Sequence, residues 1–313
     1  MRILVIGAGA VGGYFGGRLA AAGRDVTFLV RAARKAQLEN GGLQIVDPYG
    51  DVTVTPKLLT AEELKAGAVA GSVAFDLIVV STKAYSLDAA MEAFAPAVGA
   101  ETVILPLLNG MRHMDALDAR FGRERVVGGS VQIIGDLDAE GRVHSLGKLH
   151  DLNYGERDKS VTKRIEAIDA VMRDTGFEAN LKPDILAFMW QKWTLLAAMG
   201  AITCLLRGSV GAVAAAPGGL ETARAMAAEC VAIAAANGYA PAEAFHAVMM
   251  KRLTEAGSPL TASMYRDMQK GARVEADHIL GDLLARGEKH GVEAPLVRAA
   301  FAQLSMYSES LRG

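Results

Sequence analysis

Cysteine is almost absent from this chain, two in 313 residues, which excludes a disulfide framework as the source of its stability. Both, Cys204 and Cys230, lie in apolar helical surroundings and read as reduced, buried thiols of a cytoplasmic protein, although the sequence leaves a bridge between them open. An excess of either charge is missing too. At a net −2, no bulk field draws the chain toward nucleic acid or an anionic membrane, and it has neither basic clusters nor aromatic platforms for nucleic acid. The longest apolar run, Leu195 to Leu206, falls short of the ~20 residues a bilayer span needs, so no membrane partner is expected. Strand one begins at Met1 itself, and no cleavable leader is expected before it. The six histidines (His113, His144, His150, His246, His278, His290) form no ligand-spaced pair, so no metal is expected. Internal repeats are lacking. Aromatics are only 6%, against 51% hydrophobic and 22% charged residues, the balance of an alanine- and glycine-rich soluble protein long enough for two domains.

What the chain does have is concentrated at its start. Met1 to Ile6 reads as an apolar strand that runs without a gap into Gly7-Ala8-Gly9-Ala10-Val11-Gly12 and a small-residue helix over 14–22. A strand that enters a glycine turn and opens a helix leaves unpaired N–H groups aimed at one spot, the natural seat of a pyrophosphate. Gly7 allows the tight turn, Gly9 lets phosphates approach the backbone, and Gly12 lets the helix pack closely on the strand. Such a glycine pattern alone is a common turn. Its place between a β-branched strand and a helix favours dinucleotide binding.

The second strand, Val26 to Val30, ends at Arg31, where an NAD-selective fold carries an acid for the ribose 2′-hydroxyl. Arg31, followed by Arg34 and Lys35, can instead pair with a 2′-phosphate, which points to NADP(H). The competing reading makes them solvated charges that open a surface helix over 32–40.

Further along, segments 41–46 and 51–55 flank a Pro-containing turn and predict a hairpin. Near-continuous apolar strands at 75–81 and 102–106, separated by helical stretches, predict a parallel sheet covered on both faces. Ligands in such sheets sit beyond the carboxyl ends of the strands, where Lys83 and Asn109 fall. Lys83 contacts the cofactor or a substrate carboxylate, or else caps a helix; Asn109-Gly110 is a ligand contact or an ordinary left-handed turn. Residues 126–156 read as several short alternating β pieces with a turn at 138–141, followed by a helix over 161–174 and a strand over 177–181.

From Pro183 the texture turns helical, with helices over 183–206, 219–236, 241–256 and 263–290, the last interrupted at Gly271. The first of these carries Lys192 in an otherwise apolar stretch, and at ~100° per residue Met199 and Thr203 lie within about 20° of it, with Leu196 and Gly200 on the adjoining face. A lysine there snorkels, pairs or faces a ligand. An ammonium in a water-poor site is suited to protonate an oxygen that gains charge as hydride reaches its carbon. Ser263 is an acceptable N-cap, and Glu275 can simply favour the start of a helix after Gly271.

Taken in order, Gly7 to Gly12, Arg31, Lys83 in Ser-Thr-Lys-Ala, Asn109-Gly110-Met111, Lys192 in Trp-Gln-Lys-Trp, and Ser263-Met264 with Glu275-Ala276-Asp277 resemble the ketopantoate reductase (2-dehydropantoate 2-reductase) family over nearly the whole chain. The resemblance implies an α/β fold: a Rossmann-type NADP-binding domain over 1–182 and an all-helical substrate and dimerisation domain over 183–313. It implies NADPH held by Gly7, Ala8, Gly9, Ala10, Val11, Gly12, Arg31, Lys83 and Asn109. It implies a small 2-oxo acid met by Asn109, Ser263, Lys192 as general acid and Glu275, which orients the substrate hydroxyl. Asparagines usual in the family four and eight residues after the lysine are Leu196 and Gly200 here, with Thr203 offered as a substitute contact. The expected activity is therefore reduction of 2-dehydropantoate. A different, more apolar 2-oxo acid is the alternative, and a non-catalytic NADP(H)-sensing protein is the alternative of another class. A homodimer is compatible with the helical half, but no patch for it is identified.

Overall fold

The computed structural model describes residues 1–69 and 74–311. By contacts the chain forms two compact units: Met1–Leu108 with His113–Leu186, and Asn109–Arg112 with Ala187–Gly313.

The first unit begins with β1 (Arg2–Ile6), α1 (Ala10–Ala21), β2 (Asp25–Leu29), α2 (Ala32–Gly41), β3 (Leu43–Val46), β4 (Val52–Val54), β5 (Lys57–Leu59) and α3 (Ala61–Val69). It continues through β6 (Leu77–Val80), α4 (Leu87–Phe94), β7 (Val103–Pro106), α5 (Arg112–Phe121), β8 (Gly128–Leu137), β9 (Val143–Gly155), α6 (Lys163–Met172) and β10 (Glu178–Leu181). Its main sheet runs β5-β2-β1-β6-β7, every pair parallel. The fully buried β6 and all but the first residue of β1 explain their unbroken apolar sequence, because a parallel sheet is covered on both faces.

A second sheet, β10-β9-β3-β4 with β8 on β9, contains the expected hairpin as the antiparallel pair β3–β4. Here the structure corrects the sequence reading. The region over 126–156 is two long strands, β8 and β9, joined at the 138–141 turn and bulged between Ile133 and Gly135, not several short pieces. Gly135 and Asp151 break the alternation locally, while ladder pairing with Ser145 and Gln132 carries the strands through them, and Gly147 lies within the irregularity. Tyr14, Phe15, Phe28, Leu43 and Ile45 are buried in one core. Burial of each such side chain contributes about 1.5–3 kcal/mol relative to exposure.

The second unit is helical: α7 (Ile185–Leu205), α8 (Val210–Ala215), α9 (Gly219–Ala236), α10 (Glu243–Thr254), α11 (Ser263–Gln269), a π turn (Asp277–Gly281), α12 (Asp282–Glu288) and α13 (Pro295–Ser310). Ala223, Ala227, Cys230 and Ala234 of α9 are fully buried, small side chains that let neighbouring helices approach. The Glu229 carboxylate accepts from the N–H groups of Leu296 and Val297 at 3.1 and 2.9 Å, so a side chain of α9 caps the start of α13. Both cysteines are free and buried, and burial pushes the Cys204 thiol up to about 12, which leaves it inert at neutral pH.

The long helix read over 263–290 is two pieces. The first ends in a Schellman-type closure, Gly271 N to Met268 O at 3.1 Å and Ala272 N to Asp267 O at 2.9 Å, with Gly271 at φ +66°. Ala262, not Ser263, holds the N-cap position of α11, without a side-chain cap, so Ser263 is the first helical residue and exposed. α8 and α13 are separate helices beyond those read from sequence. By length and composition α7 as a whole is apolar enough to cross a bilayer, but most of its most apolar stretch is buried within the protein, as in a core helix.

Candidate active site

In the first unit, the glycine turn lies between β1 and α1. Gly7 has φ +90° and Gly9 occupies the N-cap of α1. A Cβ at either would meet nothing within 4 Å, so the face over these two residues is open to a phosphate. Gly12 has no such freedom: a Cβ there would stand 2.1 Å from Ser81 Oγ and 2.3 Å from Gly7 O, which is why the helix can sit against the strand ends only with glycine at this point. The free N–H groups of the first turn of α1 therefore face an unobstructed approach, and the residues present fit a dinucleotide pyrophosphate.

The three cations after β2 separate in the structure. Arg31 is exposed at the N-cap of α2. Arg34 is half-buried, its Nε and Nη2 donating to Ala8 O of the glycine turn at 3.2 and 3.0 Å. This corrects its reading as a solvated charge: it braces the turn from behind. Lys35 is ion-paired with Glu63 and lies 3.8 Å from Glu39, so Arg31 is the cation left facing solvent at the end of β2. Lys83 is exposed at the N-cap of a 3₁₀ turn, Ala84–Ser86, just beyond β6.

In the second unit, Lys192 of α7 donates from Nζ to Asn109 Oδ1 at 3.0 Å. Burial draws the Lys192 ammonium down from its ordinary value to about 8, while the charge of Glu275, 7% exposed, acts in the opposite direction. Glu275 starts the next helical turn, its carbonyl accepting from Ile279 N at 3.0 Å, so the sequence reading of a helix-starting glutamate and a buried carboxylate acting on Lys192 both describe it. Gly110 follows Asn109 in the left-handed region at φ +80°, and a Cβ on it would lie 2.8 Å from His278 O. A half-buried amide, an ammonium titrating near neutral pH and a buried carboxylate thus share one region of this unit. That set can bind a polarised C–O group, protonate its oxygen and orient the resulting hydroxyl.

Thr203 does not join them. It is fully buried and its hydroxyl donates back to Met199 O at 2.7 Å, which corrects its place as a substitute substrate contact: the O–H is engaged by its own helix backbone, away from any exposed surface. On the neighbouring face Leu196 is half-buried, and a Cβ on Gly200 would lie 2.6 Å from the Met264 methyl. The thioether of α11 fills the space at Gly200, so this face of α7 is apolar beyond Lys192. The Gly200–Met264 pairing had no signal in the sequence, because the two residues meet only once α7 and α11 pack. Among the described residues, no group of three His, Cys, Asp or Glu is placed to hold a metal ion.

The chain is similar to known proteins along both of its halves. The family model described as "Ketopantoate reductase PanE/ApbA" matches residues 3–159, and that described as "Ketopantoate reductase PanE/ApbA C terminal" matches residues 184–308. An "Uncharacterized oxidoreductase YkpB" of Bacillus subtilis (strain 168) is 34% identical over 98% of this chain and 99% of its own. The crystal structure of 2-dehydropantoate 2-reductase from Geobacter metallireducens GS-15 superposes with a TM-score of 0.85 at 28% identity, covering 98% of this chain and 99% of that one. D-mandelate dehydrogenase, solved with NADH and anilino(oxo)acetate, shares the fold at a TM-score of 0.84 and 21% identity, over 100% of this chain and 99% of that one. With both halves of the chain matched in order, the chain belongs to the ketopantoate reductase family of nicotinamide-dependent oxidoreductases.

Proposed function

We propose that this protein reduces a 2-oxo acid to the 2-hydroxy acid with NADPH, and that 2-dehydropantoate, giving pantoate for pantothenate and coenzyme A synthesis, is the first substrate to test. The observation that carries this reading is the Lys192 ammonium, bonded to Asn109 and poised at about 8 under the influence of Glu275. In the proposed division of labour, residues 1–182 hold the cofactor and residues 183–313, with Asn109, hold the substrate.

Gly7, Ala8, Gly9, Ala10, Val11 and Gly12 would receive the pyrophosphate, Arg31 the 2′-phosphate, and Lys83 and Asn109 further parts of the cofactor. Reduced nicotinamide, when bound, supplies the hydride. Lys192 gives its proton to the carbonyl oxygen as C2 is reduced, so that the hydride and one proton together turn the ketone into an alcohol. The neutral amine then recovers a proton from solvent. Glu275 orients the new hydroxyl, and Asn109 and Ser263 contact the substrate. Balanced charge and buried free thiols support a cytoplasmic setting, and the helical unit is where a homodimer contact would be sought.

The apolar face formed by Leu196, Gly200 and Met264 favours a second reading, a 2-oxo acid whose side chain lacks polar groups, because a face without hydrogen-bonding groups gives a substrate side-chain hydroxyl nothing to pair with. Loss of NADPH absorbance with a panel of 2-oxo acids, ketopantoate among them, tests both. The best substrate separates the two readings, and no turnover on any member would reject enzymatic reduction in favour of a cofactor sensor.

The pH dependence has a definite sign. The proton donor must be the ammonium, whose population falls as pH rises through about 8. kcat/KM for reduction is therefore expected to be flat below that value and to decline above it, with the reverse oxidation changing in the opposite sense. A reduction rate that rises through this range would remove Lys192 as the donor.

A further inference from the structure

The five-residue π turn, Asp277–Gly281, begins two residues after Glu275 and closes with Asp282 N–H bonded to Asp277 O, the i→i+5 pattern. An insertion of this kind takes carbonyls off the regular helical ladder and is found mostly where a helix has to place a side chain for function. One such carbonyl has an unusual partner. Trp193, the residue after Lys192 on α7, is 1% exposed and donates from its indole Nε1 to Ile279 O at 3.0 Å.

Beside the same indole the turn is met by Gly110, whose left-handed backbone brings it so close that a Cβ would lie 2.8 Å from His278 O and 3.7 Å from Trp193 Nε1. Three of the groups proposed to act on substrate thus neighbour a contact to this one turn: Asn109 precedes Gly110, Lys192 precedes Trp193, and Glu275 leads directly into the turn. We propose that Trp193 is a positioning residue, whose indole N–H, through the Ile279 carbonyl, holds Glu275 in register with Lys192 and Asn109. This inference rests on the reading of Lys192 as proton donor.

The charged groups around this contact are few. Glu275 acts on Lys192; Arg112, Asp277 and Asp282, with Glu275, act on His278; and the Arg286 guanidinium lies 5.8 Å from the centre of the Trp193 ring while pairing with Asp282 at 3.0 Å. Phenylalanine at position 193 keeps an aromatic face for Arg286 and removes only the N–H and the second ring. A relaxed turn moves Glu275 away from Lys192, and a weaker opposing charge lets burial draw the ammonium lower still.

The test uses the full-length protein labelled with ¹⁵N-lysine, in which the Lys192 Nζ signal is assigned by its loss in Lys192→Ala and titrated by NMR. In Trp193→Phe the midpoint is expected to move down by about half a unit, and kcat to fall about tenfold with the Kd for NADPH unchanged. Trp190→Phe is the control: Trp190 is nearly as buried and packs on the Trp193 ring at 4.8 Å and on Tyr239 at 5.2 Å, so its variant trims indole bulk beside Trp193 while leaving the bond to Ile279 O intact, and it is expected to leave the Lys192 midpoint in place. If Trp193→Phe does not fold, Gly110→Ala presses a methyl against His278 O of the same turn, next to the Trp193 indole, and carries the same expectation. A Lys192 midpoint unchanged in the variant, or shifted equally in Trp190→Phe, overturns the proposal. Because the titration is read without turnover, it stands or falls separately from Lys192→Ala kinetics, which test the parent reading.

Discussion

Lys192→Ala is expected to lower kcat about 10²–10⁴-fold, the usual contribution of a positioned general acid, while the Kd for NADPH stays near that of the parent. The geometry explains the size. The substitution removes the donor to Asn109 Oδ1 and leaves the buried Glu275 carboxylate without the ammonium on which it acts. The remaining hydrogen-bonding groups can still bind a carbonyl but cannot protonate it, so the loss belongs in kcat more than in KM. Lys192→Arg should not restore the rate. A guanidinium keeps the positive charge but holds its proton too tightly to release it near neutral pH. Stopped-flow measurement of hydride transfer, beside equilibrium binding of NADPH, checks both halves of this expectation, and a mutant of parental rate would leave the mechanism without its acid.

The second large effect is on cofactor choice. Arg31→Ala is expected to weaken NADPH binding about 10–100-fold, corresponding to the ~1.5–3 kcal/mol of a hydrogen bond to a charged group, and to change NADH binding little. Arg31 is exposed at the end of β2, whereas Arg34 is engaged with Ala8 O and Lys35 with Glu63. The comparison with Arg34→Ala sharpens the test. Loss of that side chain loosens the glycine turn, which both cofactors share, so it should weaken NADPH and NADH alike. Fluorescence titration of the two variants with the two cofactors gives four constants, and an equal effect of Arg31→Ala on both would refute the 2′-phosphate assignment.

Much of the first unit was legible because its signals are local. An unbroken apolar strand, a glycine turn and a small-residue helix are each dictated by neighbours in sequence, and β1, α1, β2 and the parallel order around them follow. The β8–β9 pair was not, since glycines and polar residues interrupt its alternation and only pairing across the sheet restores the strands. In the helical unit α9 was read to its ends, Gly219 and Ala236, and the interruption at Gly271 was read too, both from glycine punctuation, yet the π turn after Glu275 escaped. Nothing in the residues over 271–281 marks an i→i+5 turn; the indole of a distant helix supplies the partner for its carbonyl. Thr203 shows the converse error. Helical phase put it on the face of Lys192, but phase does not reveal that a threonine within a helix can return its hydroxyl to the backbone.

The sequence by itself therefore determined the glycine turn between β1 and α1, the cation that follows β2, the change from α/β to helix and the presence of a lysine on an apolar helix, because each depends on backbone preference and side-chain chemistry within a few residues. Only the tertiary structure decided that Lys192 meets Asn109 across 83 positions, that Trp193 ties down Ile279 across 86, and that Met264 takes the space at Gly200. Those contacts join segments far apart in the chain, where the packing of whole helices, not local propensity, chooses which side chains touch.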